Sequence, residues 1–242
     1  MPALLKKEIS LFFSSLIAYI SMGVFFIVLA LNLFIFSGNI LDANYATLDA
    51  FFTLAPWVLI FLIPAITMRT FAEEKQNGTI ELLSTKPITD LQIVVGKYLA
   101  ALFLWLITFL PTLVYFLAIK KLSLDNAPID SGATWGSYIG LFFLGAVFVA
   151  VGIFSSSISN NQIVAFLVGV FLCYLMYDAF AQLSALPFFE GRIDYIIQSA
   201  GLNAHYDSIS RGVVDTRDII YFLTIITLFI IGTRTALESR KW

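Results

Sequence analysis

The fold is decided by residues 131–177, which read SGATWGSYIGLFFLGAVFVAVGIFSSSISNNQIVAFLVGVFLCYLMY and carry no charged side chain in 47 positions. A helix needs about 20 apolar residues to cross a membrane, so this run is long enough for two. The polar cluster SSSISNNQ at 155–162 interrupts the run and predicts a turn. We therefore interpret the run as two spans, at about 135–155 and 163–177, joined by a short connection.

Other uncharged runs predict three further spans, at about 50–68, 98–119 and 219–236. The composition agrees, because 60% of the residues are apolar and 12% are charged, against roughly 25% charged residues in a soluble protein. The sequence therefore predicts an all-α polytopic membrane protein, with residues 1–242 forming one transmembrane domain. A separate soluble catalytic domain is excluded.

The N-terminal run is too long for a single straight span. Between Glu8 and Asp42 lie 33 residues without a charge, about 50 Å as a helix against a hydrocarbon core of about 30 Å. Apolar residues at helical spacing predict an in-plane elbow helix at 3–15, followed by a span at about 16–36. One tilted helix with a frayed start remains the alternative.

The basic residues predict the orientation. Six spans place both termini on one side, where nine of the 14 lysines and arginines lie, and five lie on the other. Because cytoplasmic loops carry the excess of Lys and Arg, we expect both termini in the cytoplasm. The formal net charge of −2 and the absence of a basic cluster argue against a nucleic-acid partner.

Residues for catalysis or ion transport are missing from the predicted spans. No ionisable residue lies near a span centre, which disfavours ion-driven carriers and membrane-embedded enzymes. His205, the one histidine, falls in an external loop at 178–218, where a solvated surface position is expected. The chain has one cysteine, Cys173, so no cysteine-rich metal site is expected, and we predict no metal-binding residues.

The chain also lacks a phosphate-binding loop. Gly96-Lys97 is followed by tyrosine where Ser or Thr is required, and Leu91 stands where the first glycine belongs. We therefore expect no enzyme activity and no cofactor in this chain. Any ATP-driven work must come from a partner.

The loop at 69–97 has the signals of a structured element. Residues 69–76 are good helix formers, Asn77-Gly78 predicts a helix stop, and Thr79 can cap a short helix at 80–84 that ends before Pro87. Thr89 with Gln92 forms a capping box that opens the next helix. The exposed Leu82 and Leu83 favour a groove on a partner protein, and a helix lying on lipid headgroups is the alternative.

Three stretches carry a family resemblance. They are FAEEKQNGTIELLSTKPI at 71–88 with GKYLA at 96–100, SSISNNQIVAF at 156–166, and HYDSISRGVVDTRDIIYF at 205–222. Together they resemble type-2 ABC exporter permeases, in particular the gliding-motility-associated permeases of Bacteroidetes. The resemblance covers nearly the whole chain, in order.

The resemblance implies a bacterial cytoplasmic (inner) membrane subunit with an elbow helix, six spans and a coupling helix in the first internal loop. It implies an ABC ATPase subunit that holds ATP and Mg, a second permease copy or related permease, and a GldG-like accessory membrane protein. It assigns Glu74, Gly78, Thr79 and Glu81 to the ATPase-coupling region. Leu82 and Leu83 are the contact face chosen on physical grounds, flanked by Pro87 and Thr89.

The external loop at 178–218 is unusually apolar for a solvated connection. Phe188, Phe189 and Tyr195 are among its large apolar side chains, so we expect part of it to enter the outer leaflet or to cover a mouth between subunits. A gate built from these three residues and a passive packing cap are both open.

Two functions follow as hypotheses. The first is an exporter permease driven by a separate ATPase. The second is a membrane scaffold that transmits force without moving a solute. Sparse Ser, Thr and Asn in the spans favour lipid-like or mechanical work over a polar solute.

The topology is testable by labelling. Cysteines placed at Asn44 and Asp207 should react with an impermeant thiol reagent in cells with a permeabilised outer membrane, because both loops are predicted to lie outside. A cysteine at Glu81 should stay unlabelled. The reverse pattern would overturn the nine-to-five assignment.

Overall fold

The computed structural model describes residues 2–36, 47–79, 89–122, 130–189 and 191–239. Within these ranges all regular structure is helical. The first half of the chain contains α1 (Pro2–Ser14), α2 (Leu16–Phe34), α3 (Asp49–Thr67), α4 (Arg69–Gln76), α5 (Asp90–Phe109) and α6 (Leu113–Leu122). The second half contains α7 (Ser131–Ile158), α8 (Gln162–Tyr174), α9 (Phe180–Ser184), α10 (Arg192–Ser199), α11 (Leu202–Ser210) and α12 (Thr216–Glu238).

Six helical runs are long and apolar enough to cross a membrane, as the sequence predicted. They are Leu16–Phe34, Asp49–Gln76, Asp90–Lys121, Ser131–Ile158, Gln162–Ser184 and Thr216–Glu238. We call the side with α1, α4, the start of α5 and the end of α12 the terminal side. The other side, with α9, α10 and α11, is the opposite side.

The fifth run continues past the predicted end at 177. Leu175–Ala179 forms a π-helix, and α9 follows it to Ser184. Asp178 was expected to end the span, but its side chain is buried and accepts a hydrogen bond from the Gln182 amide at 3.2 Å. Because the carboxylate is satisfied within the helix, the helix does not stop there.

The fourth run, α7, is the centre of the bundle. It packs against α3, α8, α11 and α12, and 78% of its apolar window is buried. Gly152 lets α3 approach closely, since a Cβ atom at this position would lie 2.1 Å from the Thr67 hydroxyl. Thr67 is fully buried and donates to the Ile63 carbonyl oxygen at 2.8 Å.

The N-terminal run is divided into two helices at Ser15, whose backbone is extended (φ −89°, ψ 125°). The first helix, α1, packs against the start of α5. Leu4 and Glu8 are buried on α1, and the Leu4 side chain packs against Gly96. A separate first helix, rather than one continuous helix, is therefore the arrangement in this chain.

The region predicted as an external loop at 178–218 is largely helical, and its histidine is not a solvated surface residue. His205 on α11 places Nδ1 2.7 Å from Asp218 Oδ1 and Nε2 3.0 Å from the Ser199 carbonyl oxygen. The ring stacks on Tyr221 with a centroid distance of 3.8 Å. The prediction of a solvated histidine was wrong. Asp218 and Tyr221 lie one turn apart at the start of α12, so one forms a hydrogen bond with the ring and the other stacks on it.

The close approach of α3 and α7 gives a test of packing. Gly152→Ala should lower the free energy of unfolding by about 1–3 kcal/mol, because the added methyl group overpacks a filled interface. The thermal unfolding midpoint of the purified protein in detergent measures it. Gly23→Ala is the matched control, since nothing lies within 4 Å of a Cβ atom there, and it should be neutral or stabilising. Equal effects of the two substitutions would contradict the assignment.

Candidate functional site

The helix stop predicted after span two is confirmed. Helix α4 ends at Gln76, and Gly78 has a positive φ of 67°, which glycine adopts without strain. The Thr79 hydroxyl donates to the Glu74 carbonyl oxygen at 3.3 Å. The chain therefore turns away from α4 at these residues, which the resemblance assigns to the coupling region.

The helix start on the far side of the loop is confirmed as well. The Gln92 backbone nitrogen donates to the Thr89 hydroxyl at 3.3 Å, and the Thr89 backbone nitrogen donates to Gln92 Oε1 at 3.2 Å. This is the predicted capping box. The predicted short helix at 80–84, with Glu81, Leu82 and Leu83, and also Pro87, lie outside the described residues.

A buried charge cluster joins the two flanks of this loop. Lys97 is 1% exposed, and its Nζ lies 3.1 Å from Glu8 Oε1 on α1 and 3.0 Å from Glu74 Oε1 on α4. It also donates to the Thr70 carbonyl oxygen at 2.8 Å. We call Glu8, Glu74 and Lys97 the charge cluster. It ties three helices together at one point.

Aromatic and surface charges complete the surroundings of this cluster. Lys97 Nζ lies 5.1 Å from the centroid of the Phe71 ring, within the range of a cation–π interaction. Lys7, half exposed, approaches Glu8 at 3.7 Å and Glu74 at 3.5 Å. Two cations thus face two carboxylates, and the group is neutral as a whole.

The charge cluster fixes the relative positions of the helices more than it raises the net stability of the fold. Removing two ions from water costs several kcal/mol each, and attraction in the interior offsets this only with good geometry and further hydrogen bonds. Breaking such a pair by removing one partner costs about 3–5 kcal/mol, because a charge is left buried alone. The relative placement of α1, α4 and α5 is therefore fixed by a strong penalty on alternatives.

The turn between spans four and five is attached to the same element. The Ser156 hydroxyl accepts from the backbone nitrogens of Phe71 and Ala72, both at 3.0 Å, and donates to the Met68 carbonyl oxygen at 2.8 Å. Amides in the first turn of α4 have no partner within their own helix, and Ser156 supplies one from another span. Lys75 Nζ also donates to the Ser157 carbonyl oxygen.

Sequence reasoning did not find Glu8, Lys97 or Ser156 as site residues. Lys97 was counted as an ordinary loop cation, whereas the structure buries it inside α5. One signal was present: Glu8 lies four residues after Leu4, so the two share a helix face, and both are buried. A carboxylate on the buried face of a helix needs a charged or hydrogen-bonding partner there.

The predicted gate residues lie on the opposite side, away from the charge cluster. Phe188 is 89% exposed and Tyr195 is 74% exposed, and Phe189 belongs to a short 3-10 helix, Pro187–Phe189, that contacts α10. Within the part of the chain that the structure describes, most of the Phe188 and Tyr195 surface is therefore uncovered. Nearby, burial raises the pKa of the Tyr206 phenol, which donates to the Phe52 carbonyl oxygen at 3.0 Å and fixes α11 to α3.

The geometry predicts unequal roles for Lys97, which belongs to the charge cluster, and for Lys7, which lies at its exposed edge. Lys97→Met should lower the free energy of unfolding by about 3–5 kcal/mol, because two carboxylates stay buried without their cation. Lys7→Met is the matched control and should cost no more than about 1 kcal/mol, as expected for an exposed ion pair. Thermal unfolding of the purified protein compares them. Similar midpoints for both variants would show that Lys97 does not hold the three helices.

Comparison with known proteins identifies the family. The family model for ABC-2 family transporter proteins matches residues 42–198, which is more than half of the chain. The match includes α4, the capping box at Thr89, Lys97 and Ser156, and it ends before α11. No curated protein matches the chain. The chain therefore belongs to the ABC-2 family of transporter proteins and is a membrane permease subunit of an ABC transporter.

Proposed function

We propose that this permease subunit is driven through the loop at 69–97 by a separate ABC ATPase that binds ATP and Mg. The observation that carries the proposal is the convergence of three helices, α1, α5 and α7, on α4. The charge cluster joins α4 to α1 and α5, and Ser156 joins α4 to the end of α7. A movement imposed on α4 is thereby imposed on spans two, three and four together.

The geometry of the loop fits this route. Its two ends are anchored by different means, a glycine turn after α4 at Gly78 and a capping box at Thr89. Residues 80–88 lie between these anchors, and the proposed contact face, Leu82 and Leu83, is in that interval. A partner that binds the interval acts on both flanks at once, and the flanks meet again at Lys97.

The proposed setting is the bacterial inner membrane, with the terminal side in the cytoplasm. The nine-to-five excess of Lys and Arg supports this orientation. Within the family, the resemblance to GldF of Bacteroidetes favours a role in gliding motility, with a GldG-like accessory protein. A second permease copy is proposed as well, and the exposed apolar surface around Phe188 and Tyr195 is consistent with an intersubunit cap or gate.

A non-transporting scaffold or force-transmitting anchor is the second candidate. The observation that favours it concerns the buried hydroxyl groups of the spans. Thr67, Thr108 and Thr112 are fully buried, and each donates to a carbonyl oxygen three or four positions earlier in the chain. These three hydroxyl groups are therefore occupied and do not form part of a polar path. Reconstitution with the ATPase, and a search for lipids or solutes that stimulate hydrolysis, separates the two candidates.

The docking proposal is tested by charge insertion. Replacing Leu82 and Leu83 together with Asp should abolish ATPase co-purification and function. Unpaired charges in a contact core cost several kcal/mol, about a thousandfold in affinity at 1.4 kcal/mol per decade. Membrane levels of the variant should stay normal, because the loop lies outside the hydrocarbon.

Leu91→Asp is the matched control. Leu91 is 41% exposed on the first turn of α5, outside the proposed contact face, and should tolerate the charge. If the double variant retains its ATPase at wild-type stoichiometry and remains active, the coupling proposal is wrong. Docking would then be sought at the turn at 155–162.

A further inference from the structure

A cleft of about 520 Å³ opens where α1 meets α2, facing α4. Its volume lies within the range of about 300–1,000 Å³ that small-molecule sites occupy. The extended residue Ser15 separates the two helices at this point, so the cleft lies at the level where an apolar span gives way to a charged surface. Glu74 and Thr79, which the resemblance assigns to the coupling region, are among the described residues that line it.

The lining is divided into two halves of different chemistry. Phe12, Ile17 and Ile66 are among the apolar residues of one half. The other half carries Lys7, Arg69 and Lys97 together with Glu8, Glu73 and Glu74. Apolar atoms and charges arranged side by side at a membrane boundary match an amphiphile, with its chain toward α2 and its headgroup toward α4.

The charges restrict the headgroup. Three cations and three carboxylates line the cleft, so a headgroup of net negative charge gains little net attraction. Arg69 is already occupied, since Nε and Nη2 donate to the two Glu73 oxygens at 2.8 and 3.0 Å. Nη1 donates to the Ser15 hydroxyl at 2.8 Å.

One carboxylate in the lining lacks a donor. Glu74 Oε2 is buried and has no hydrogen-bond partner among the residues that the structure describes, whereas Oε1 pairs with Lys97. A buried acceptor without a donor costs about 1–3 kcal/mol or more if charged. A ligand in this cleft that carries N–H groups offers the missing donor, and a cation is preferred because Glu74 is acidic.

We propose that the cleft binds a phospholipid with a primary ammonium headgroup, of the phosphatidylethanolamine class. The ammonium donates to the Glu74 carboxylate, the phosphate lies toward the half-exposed Lys7, and the proximal acyl chain contacts Phe12 and Ile17. Choline has no N–H to donate and glycerol has no positive charge, so these headgroups satisfy Glu74 less well. Glu74 also belongs to the proposed coupling region, so the binding test uses this chain without the ATPase.

Native mass spectrometry of the purified, delipidated full chain tests the headgroup. The probes are phosphatidylethanolamine, phosphatidylcholine and phosphatidylglycerol with identical acyl chains, and free phosphoethanolamine. The ethanolamine lipid should bind about tenfold tighter than either other lipid, as expected for one charged hydrogen bond. Equal binding of the three lipids overturns the proposal. Free phosphoethanolamine that binds as tightly as the lipid also overturns it, because the apolar half would then have no role.

Paired variants locate the site. Glu74→Gln should abolish the preference for ethanolamine over choline, whereas Glu73→Gln, whose parent carboxylate is satisfied by Arg69, should keep it. Ile17→Trp fills the apolar half and should lower binding of every lipid. Val24→Trp, two turns further along the same face of α2, should not. Retained preference in Glu74→Gln, or equal effects of the two Trp variants, would place the lipid elsewhere.

Discussion

The arrangement on the terminal side depends on one interaction, the burial of Lys97 between Glu8 and Glu74. An ammonium group that is 1% exposed must keep its partners in place, because each missing partner leaves a charge in a poorly polarisable interior. Those partners come from two helices and Lys97 from a third, so a contact of three side chains fixes the first helix, the extension of span two and the beginning of span three. Ser156 adds the fourth span through hydrogen bonds to backbone amides.

The local signals in the sequence predicted the local structure well. The polar cluster at 155–162, Asn77-Gly78 and the Thr89 capping box each act within a few residues, and each is where a helix stops or starts in the structure. Spans were predicted from apolar length alone, which holds because a bilayer requires a minimum of buried apolar residues. The helix of the fifth span continues past Asp178, since a partner one turn away can keep a carboxylate inside a helix.

The contacts between distant residues were not predictable in this way. Lys97 and Glu8 are separated by 89 positions, and nothing in either neighbourhood names the other as its partner. His205 was expected in solvent because it is alone in its loop, yet Asp218 and Tyr221 surround it. Both failures concern charged or titratable groups, whose environment is decided by tertiary packing and hardly by local propensity. The position of Glu8 on the apolar face of α1 was the single sequence feature that pointed to such packing.

The π-helix at Leu175–Ala179 determines the phase of everything that follows it in span five. A π-helical turn holds one residue more than an α-helical turn, so the residues after it are rotated by about 100° from the direction a continuous α-helix would give them. With that rotation, the Phe180 Cβ atom lies 3.1 Å from the place where a side chain on Gly201 would begin. Deletion of one residue from the π-helix would restore the α-helical phase. Phe180 would then face a different side of the helix, away from Gly201. The positions of α10 and α11 on the bundle therefore depend on the one extra residue that the π-helix adds to span five.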